Sequence, residues 1–323
     1  MMKSKKLNIY QLAFSLAVTF FLLFTLSSHL MNESSKLEAS EIRSSLLNKR
    51  LLKDTSTQKR DPKYKEKYKS KSTKAKQTKA NKLRWDNTQQ MLLSVQENNL
   101  AVCVLDIRTG RIVGLHVDQP FYAASVAKLP IVLWTMELIH QGKISFETSF
   151  AYKDIVNDIP GAMQRNGTGS LQYQAVEGQE FTVRDLIQRT ICESDNQASN
   201  MLSYYLGQKN AKAYQKFRQK FDPEAKLNFS KLMTARVAAR YMAALSQEDE
   251  LASDFQSTLW AGSKIGTLPY PVWHKIGVNG QYNHDAAYVP AIRPYVMVIM
   301  TKGWTDNAIA TLAQRIDHIL SET

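Results

Sequence analysis

Cysteine is scarce in this chain: only Cys103 and Cys192 occur in 323 residues. One disulfide is the most the sequence could form, and no staple framework holds the fold. Each cysteine sits in an apolar run, AVCVL or TICES, which suits a buried free thiol better than a bridge. Neither has a C-x-x-C partner, and the six histidines show no metal-ligand spacing, so no metal is expected. Neither a G-x-G-x-x-G string nor a P-loop is present, so no nucleotide cofactor is implied. Internal repeats are also missing, which argues against a repeat architecture. Apolar residues make up 44% of the chain, an ordinary share for a folded protein, so a sizeable core is available.

Charge is missing in one place. From Leu7 to Asn32 no residue is charged, and the run LAFSLAVTFFLLF within it is apolar enough to span a bilayer. Lys3, Lys5 and Lys6 precede it, which keeps the N-terminus cytoplasmic. A cleaved signal peptide is the rival reading. Its apolar region would be shorter, and no small-x-small site follows Ser27-Ser28. Residues 1–32 are therefore expected to form a cytoplasmic stub and a transmembrane signal anchor, leaving the rest extracytoplasmic. Secretion after cleavage is the alternative.

The net charge of +13 resembles a nucleic-acid signal until it is located. Residues 48–84 carry 15 basic and three acidic residues, whereas residues 85–323 carry 22 and 23. The charge belongs to a tail. Residues 33–84, with the stretch DPKYKEKYKSKSTKAKQTKANK, cannot build a core and are expected to be a disordered basic linker. As a coil they would span on the order of 40 Å. The plain reading is a solvated spacer. The sharper one is that residues 48–84 pair with anionic wall polymers or lipid headgroups. In that compartment no nucleic-acid partner is expected.

Residues 85–323 read as the folded domain. Asn87 to Asn98 has a helical apolar face of Met91, Leu92 and Val95. LAVCVLDI and RIVGLHV read as strands joined at Arg108-Thr109-Gly110. Ala124 to His140 is an apolar helix, with Pro130 near its start, where a missing N–H costs little. Residues 150–180 are largely loop. Helices follow from Thr182, over Asn196–Leu206, Lys209–Phe221 and Thr234–Leu245. The chain then returns to strands in VWHKIGV, DAAYV and YVMVIMT, and a last helix is capped by Thr305-Asp306. Strands at both ends with helices between them predict an α/β (α+β) two-lobe fold. An antiparallel sheet formed by both ends would be flanked by helices, with an all-helical lobe inserted and a cleft between the lobes.

Three short strings carry chemistry: Ser125-Val-Ala-Lys128, Ser194-Asp195-Asn196 and Lys275-Ile276-Gly277. Helical spacing lets the Ser125 hydroxyl and Lys128 amine meet. A serine needs such a base to attack, and burial can lower a lysine's pKa enough to supply one. Exposed N–H groups at the helix start suit an oxyanion. Ser194 can relay a proton and Asn196 can orient an amide. Lys275 offers charge, and Gly277 permits close approach. Each string alone has a bland reading: a capping serine, a capping loop, a strand lysine before a turn. All three in order are strong, since this set, with Thr in the middle of the third string, marks class A β-lactamases and penicillin-binding proteins.

With FYAASVAKLPIVLWTMELIHQGKI and FTVRDLIQRTICESDNQASNML around them, residues from about 100 to 320 resemble the class A β-lactamase-like branch of the penicillin-recognising serine hydrolases. The resemblance implies a β-lactamase/transpeptidase-like fold, no cofactor, and Ser125 as acylated nucleophile with Lys128 as its base. Ser194 would relay the proton, Asn196 would hold the substrate amide, and Lys275 would lie near the substrate carboxylate. Gly277 would border the substrate, and the N–H groups of Ser125 and Val278 would form the oxyanion hole. The implied substrate is a β-lactam or a peptidoglycan peptide. Ile276 departs from the pattern, because it stands where the family has a hydroxyl. Glu224-Ala-Lys-Leu-Asn228 has the spacing of the family's deacylating loop but lies closer to the next helix; a solvated carboxylate is the favoured reading of Glu224. His284-Asp285 and His274 are read as structural.

The leading expectation is an extracytoplasmic serine acyl-hydrolase of the β-lactamase type. The alternatives are a penicillin-binding DD-peptidase and a non-catalytic wall-binding module.

Overall fold

The computed structural model describes residues 68–227 and 230–322, with side chains from Thr78 onward. The anchor read over residues 7–32 lies outside them. Among the described residues no helix is long and apolar enough to cross a membrane.

The first helix, α1 (Tyr68–Leu93), corrects the reading of residues 33–84 as disordered throughout, since its first turns lie in that basic stretch. It also ends earlier than Asn98. Lysine, alanine and glutamine are competent helix formers, and what they lack alone is a nucleus. Trp85, Met91 and Leu92 supply it by burying against the sheet and the C-terminal helix, so the helix extends backward from its docked end.

β1 (Leu100–Asp106) and β2 (Ile112–Leu115) form the expected hairpin. After the short β3 (Pro120–Tyr122) comes α2 (Leu129–His140). The helical lobe continues through the short hairpin partners β4 (Ser149–Ala151) and β5 (Glu180–Thr182), with α3 (Leu171–Gln174) between them. Then follow α4 (Val183–Cys192), α5 (Asn196–Leu202) and α6 (Ala211–Arg218). β6 (Leu232–Thr234) pairs with β3 and leads into α7 (Ala235–Leu245) and α8 (Ala252–Gln256). The chain closes with β7 (Trp273–Asn279), β8 (Tyr282–Val289), β9 (Tyr295–Lys302) and α9 (Asp306–Ser321).

The main sheet has the order β2-β1-β9-β8-β7, antiparallel throughout, so both ends of the domain build it. Alternation along the central strands divides two cores. Ala101, Cys103, Leu105, Val296, Val298 and Met300 face α2 and α7. Leu100, Val102, Val104, Met297 and Ile299 face α1 and α9, where Ile309, Leu312 and Ile316 pack. This is the α+β architecture expected, with β7 as the edge strand beside the helical lobe.

Leu92 is fully buried at the docked end of α1. Leu92→Ala is expected to lower unfolding free energy by about 2–5 kcal/mol in urea titration. Hydrogen exchange should then show residues 78–83 losing protection; unchanged protection there would show that α1 does not depend on its docking.

Candidate active site

The serine string lies in a tight 3-10 turn, Ala124–Lys128, where a regular helix was expected. Pro130 explains the difference. In an α-helix the carbonyl of Val126 would accept from residue 130, which has no N–H. It accepts instead from Leu129, three residues on, which is the 3-10 pattern. Residues i and i+3 eclipse in such a turn, and the Lys128 amine sits 3.0 Å from the Ser125 hydroxyl oxygen. Ala124 pays for the turn with a left-handed φ of 48°.

Ser194 has the same unusual backbone, at φ 55°, in the bend between α4 and α5. Asp195 caps α5 by accepting from Ala198 N at 2.9 Å, and its other oxygen accepts from Leu171 N at 2.7 Å. The capping reading of this string is therefore correct for Asp195, while its two neighbours turn toward Lys128. Ser194 Oγ is 3.2 Å and Asn196 Oδ1 2.7 Å from the Lys128 amine.

The third string arrives on β7. The Lys275 amine donates to Ser194 Oγ at 2.7 Å and to its neighbour's carbonyl, Ile276 O, at 3.1 Å. Gly277 is required for contact: a Cβ there would lie 2.6 Å from Ala123 O and 3.1 Å from Val126 N, so only glycine lets β7 touch the serine turn. Val278, the next residue, is 55% exposed. Ile276 is buried and brings no hydroxyl. The geometry thus gathers Ser125, Lys128, Ser194, Asn196, Lys275 and Gly277.

Lys128 is buried among acceptors. The carbonyls of Ser194 and of the Asn196 side chain can only accept, so they take N–H bonds from it, at 2.5 and 2.7 Å. A neutral amine has two N–H groups and one lone pair. With both N–H groups used, the lone pair is left for the Ser125 hydroxyl proton. Burial first, and then the neighbouring Lys275 charge, hold the Lys128 amine well below the usual lysine range. Lys275 is lowered to about 7 by burial.

Two parts of the site carried weaker signals in sequence. The loop of residues 159–169 holds the Ser-Asp-Asn string: Asn196 Nδ2 donates to Gln164 O at 2.7 Å, and Thr168 Oγ1 donates to Ser194 O at 2.6 Å. Its glycines were the available clue. A Cβ on Gly167 would lie 1.8 Å from Asn196 Nδ2, and one on Gly169 2.1 Å from Asp195 Oδ2. Lys231, just before β6, is the second; its amine donates to Ala162 O.

Beside Lys128 lies a cavity of about 140 Å³, walled by Ala127, Ile131, Met163, Asn200, Tyr214 and Leu227 among others. None of the described residues lining it is acidic. Glu224 is exposed outside it, in the turn where its N–H donates to Asp222.

The remaining residues are structural. Strand alternation sends His284 and Asp285 to opposite faces. His284 Nε2 donates to Tyr122 O and its Nδ1 accepts from Thr301 N, and burial lowers its pKa to about 4. Asp285 faces His274, 3.1 Å away. Cys103 and Cys192 are free thiols, with burial pushing them up to about 12 and about 11. Among the described residues no group of three His, Cys, Asp or Glu could hold a metal ion.

The low Lys275 value has a sign. Between about 7 and the ordinary lysine value of 10.5 the unfolded chain binds the proton that the folded chain has lost, so stability rises with pH across that interval. Below about 7 both states are protonated and the burial penalty is complete. Lys275→Met lacks this penalty, so its stability advantage over wild type should shrink by a few kcal/mol in urea titrations as pH rises from 7 to 10. A constant difference would show that burial does not hold the amine neutral.

Comparison with known proteins agrees with this geometry. A model of the Beta-lactamase enzyme family matches residues 85–322. Among solved structures, PBP-A superposes with a TM-score of 0.59 at 20% identity, covering 73% of this chain and 94% of its own. A β-lactamase from Sphaerobacter thermophilus gives 0.59 at 17%, covering 73% and 95%. An ancestral class A β-lactamase gives 0.58 at 21%, covering 72% and 99%. No curated protein matches the sequence. The family match spans nearly the whole described domain and contains all three strings: the chain belongs to the β-lactamase enzyme family and is a serine hydrolase.

Proposed function

We propose that this protein is an extracytoplasmic serine acyl-hydrolase that opens a β-lactam or peptide-like amide through a long-lived acyl-enzyme on Ser125, as a penicillin-binding peptidase does. The observation that carries the slow second step is the cavity beside Lys128, whose described lining holds no carboxylate. Fast β-lactam hydrolysis, the leading reading of the sequence, needs a base for the incoming water that this wall does not offer.

Acylation follows from the hydrogen bonds. Ser125 Oγ attacks the carbonyl carbon while its proton passes to the Lys128 lone pair. The N–H groups of Ser125 and Val278 receive the oxyanion. Ser194 Oγ accepts from Lys275, so its own proton is free to reach the leaving nitrogen as the C–N bond breaks. Lys275, poised near neutrality, replaces that proton. Asn196 Oδ1 has a second lone pair for a substrate N–H, and Gln164 keeps the amide from turning. Deacylation requires water to attack the ester carbon and Ser125 Oγ to leave with a proton, without a carboxylate to help.

An uncleaved anchor over residues 7–32 would set the domain outside the cytoplasm. The basic stretch of residues 48–84, helical from Tyr68, would then stand between membrane and enzyme and could pair with wall polymers or lipid headgroups. Among solved structures of this fold is a penicillin G acyl-enzyme of a PBP-A mutant, which supports a lactam as probe.

The test is intact-protein mass spectrometry with benzylpenicillin. A stable adduct should form on wild type and be absent in Ser125→Ala. Lys128→Ala should slow its formation on the order of 10²–10⁴-fold. Because the base must be neutral, the wild-type acylation rate should climb with pH through a value well below 10.5. Rapid turnover of a chromogenic lactam would overturn the long-lived intermediate, and absence of any adduct would overturn acylation itself. Protease added to intact cells should remove residues 85–323; their survival would place the domain inside.

A further inference from the structure

Lys231 holds an unusual position. Its backbone carbonyl accepts from Ala123 N at 2.7 Å, directly before the serine turn. Its amine crosses the other way to Ala162 O at 2.5 Å, in the loop that orients Asn196. Lys231 thus ties the segment that enters the serine turn to the loop whose neighbouring residues, Gly161 and Met163, line the cavity beside Lys128. It is close enough to Lys128 for its charge to bear on that amine. The amine is partly stripped of water, and that burial lowers its pKa.

What it lacks is a counter-ion. Among the described residues no carboxylate lies within ion-pair distance of it, and its acceptor is a neutral carbonyl. An ammonium has three N–H donors, so two remain for a ligand. A half-buried cation satisfied by one carbonyl gains most from an anion, since charge-assisted bonds strengthen as water is excluded. Meanwhile, on the opposite side of Ser125, Ile276 brings no hydroxyl, and the Lys275 amine is engaged with Ser194.

The direction of the substrate follows. Ser194, with Lys275 behind it, marks the leaving nitrogen. Asn196, held by Gln164, takes the amide of the part retained on Ser125. Lys231 reaches that same loop two residues away. We propose that Lys231 recognises a carboxylate on the acyl side of the substrate, making the natural acyl donor an amide whose retained portion is anionic. The assignment rests on the acyl-enzyme reading for which part is retained, and it adds the charge of the substrate and the residue that selects it.

Benzylpenicillin and carbenicillin differ by one carboxylate on the acyl side chain. Binding of both to full-length Ser125→Ala protein in neutral detergent, measured by calorimetry at low salt, requires no chemistry. Carbenicillin should bind about tenfold tighter or more, as expected for a charge-assisted contact. The gap should vanish in Ser125→Ala/Lys231→Met and persist with Lys231→Arg. Lys231→Gln, which keeps a donor for Ala162 O without the charge, should also lose it, which separates recognition from a misfolded lip. Equal binding, a gap that survives Lys231→Gln, or no binding of either compound would overturn the assignment. If carbenicillin binds with Lys231-dependent preference yet neither compound acylates wild type, the acyl-enzyme reading fails and Lys231 recognition stands.

Discussion

Everything in the cleft depends on one buried amine. Lys128 is almost inaccessible to solvent, and two of its neighbours are carbonyl oxygens that can only accept. A charged amine there would face Lys275 without water to screen it. The neutral form satisfies both carbonyls and turns its lone pair to Ser125. Deprotonation is thus a consequence of packing: the site is basic because it is dry and because its acceptors are arranged to fit two N–H groups.

That arrangement explains why the surrounding backbone is strained where it is. Four non-glycine residues of the described chain have left-handed φ, and two of them are Ala124 and Ser194. Each sits where a regular helix would have aimed a side chain elsewhere. The energy to hold them comes from the core on one side of the sheet, which buries Ala123, Val126 and Ala127 around one and Ile191 and Ala198 around the other. α2 continues directly from the serine turn and shares its core with α7, and β7 meets the turn because Gly277 has no Cβ to prevent contact. The two-lobe fold serves the site by bringing a strand from one end of the domain against a turn from the other.

The sequence displayed most of this in residues whose identity has few substitutes. Ser125, Lys128, Ser194, Asn196, Lys275 and Gly277 were legible as strings, and alternation in LAVCVLDI and YVMVIMT gave a sheet built from both ends. Helix and strand boundaries followed where a physical cap was present, as at Thr182, Thr234 and Thr305. What could not be read depended on tertiary contact. The basic stretch before Arg84 has no apolar pattern, and its helix exists because Trp85 and Leu92 dock. The loop at Gly167 and Gly169 looked like polar filler, since only the folded Asn196 and Asp195 make those glycines necessary. Glu224 matched a spacing, yet a shortened loop leaves it in solvent.

The same shortening gives the cleft its asymmetry. A wall that carried a carboxylate near Lys128 would both activate water and repel an anionic acyl group. Here the described lining holds no carboxylate, and Lys231, whose amine reaches the neighbouring loop at Ala162 O, pairs with no carboxylate among the described residues. In the proposed readings, a lining without a hydrolytic base and a cation on the acyl side belong to one pattern of local electrostatics. A lining without negative charge would slow the release of an acyl group and would favour an anionic one, as proposed above. On the leaving side, Ile276 brings no hydroxyl and the Lys275 amine donates to Ser194. On these proposals the charges around Ser125 decide substrate choice, while the nucleophile and its base keep the arrangement that the motif order implies.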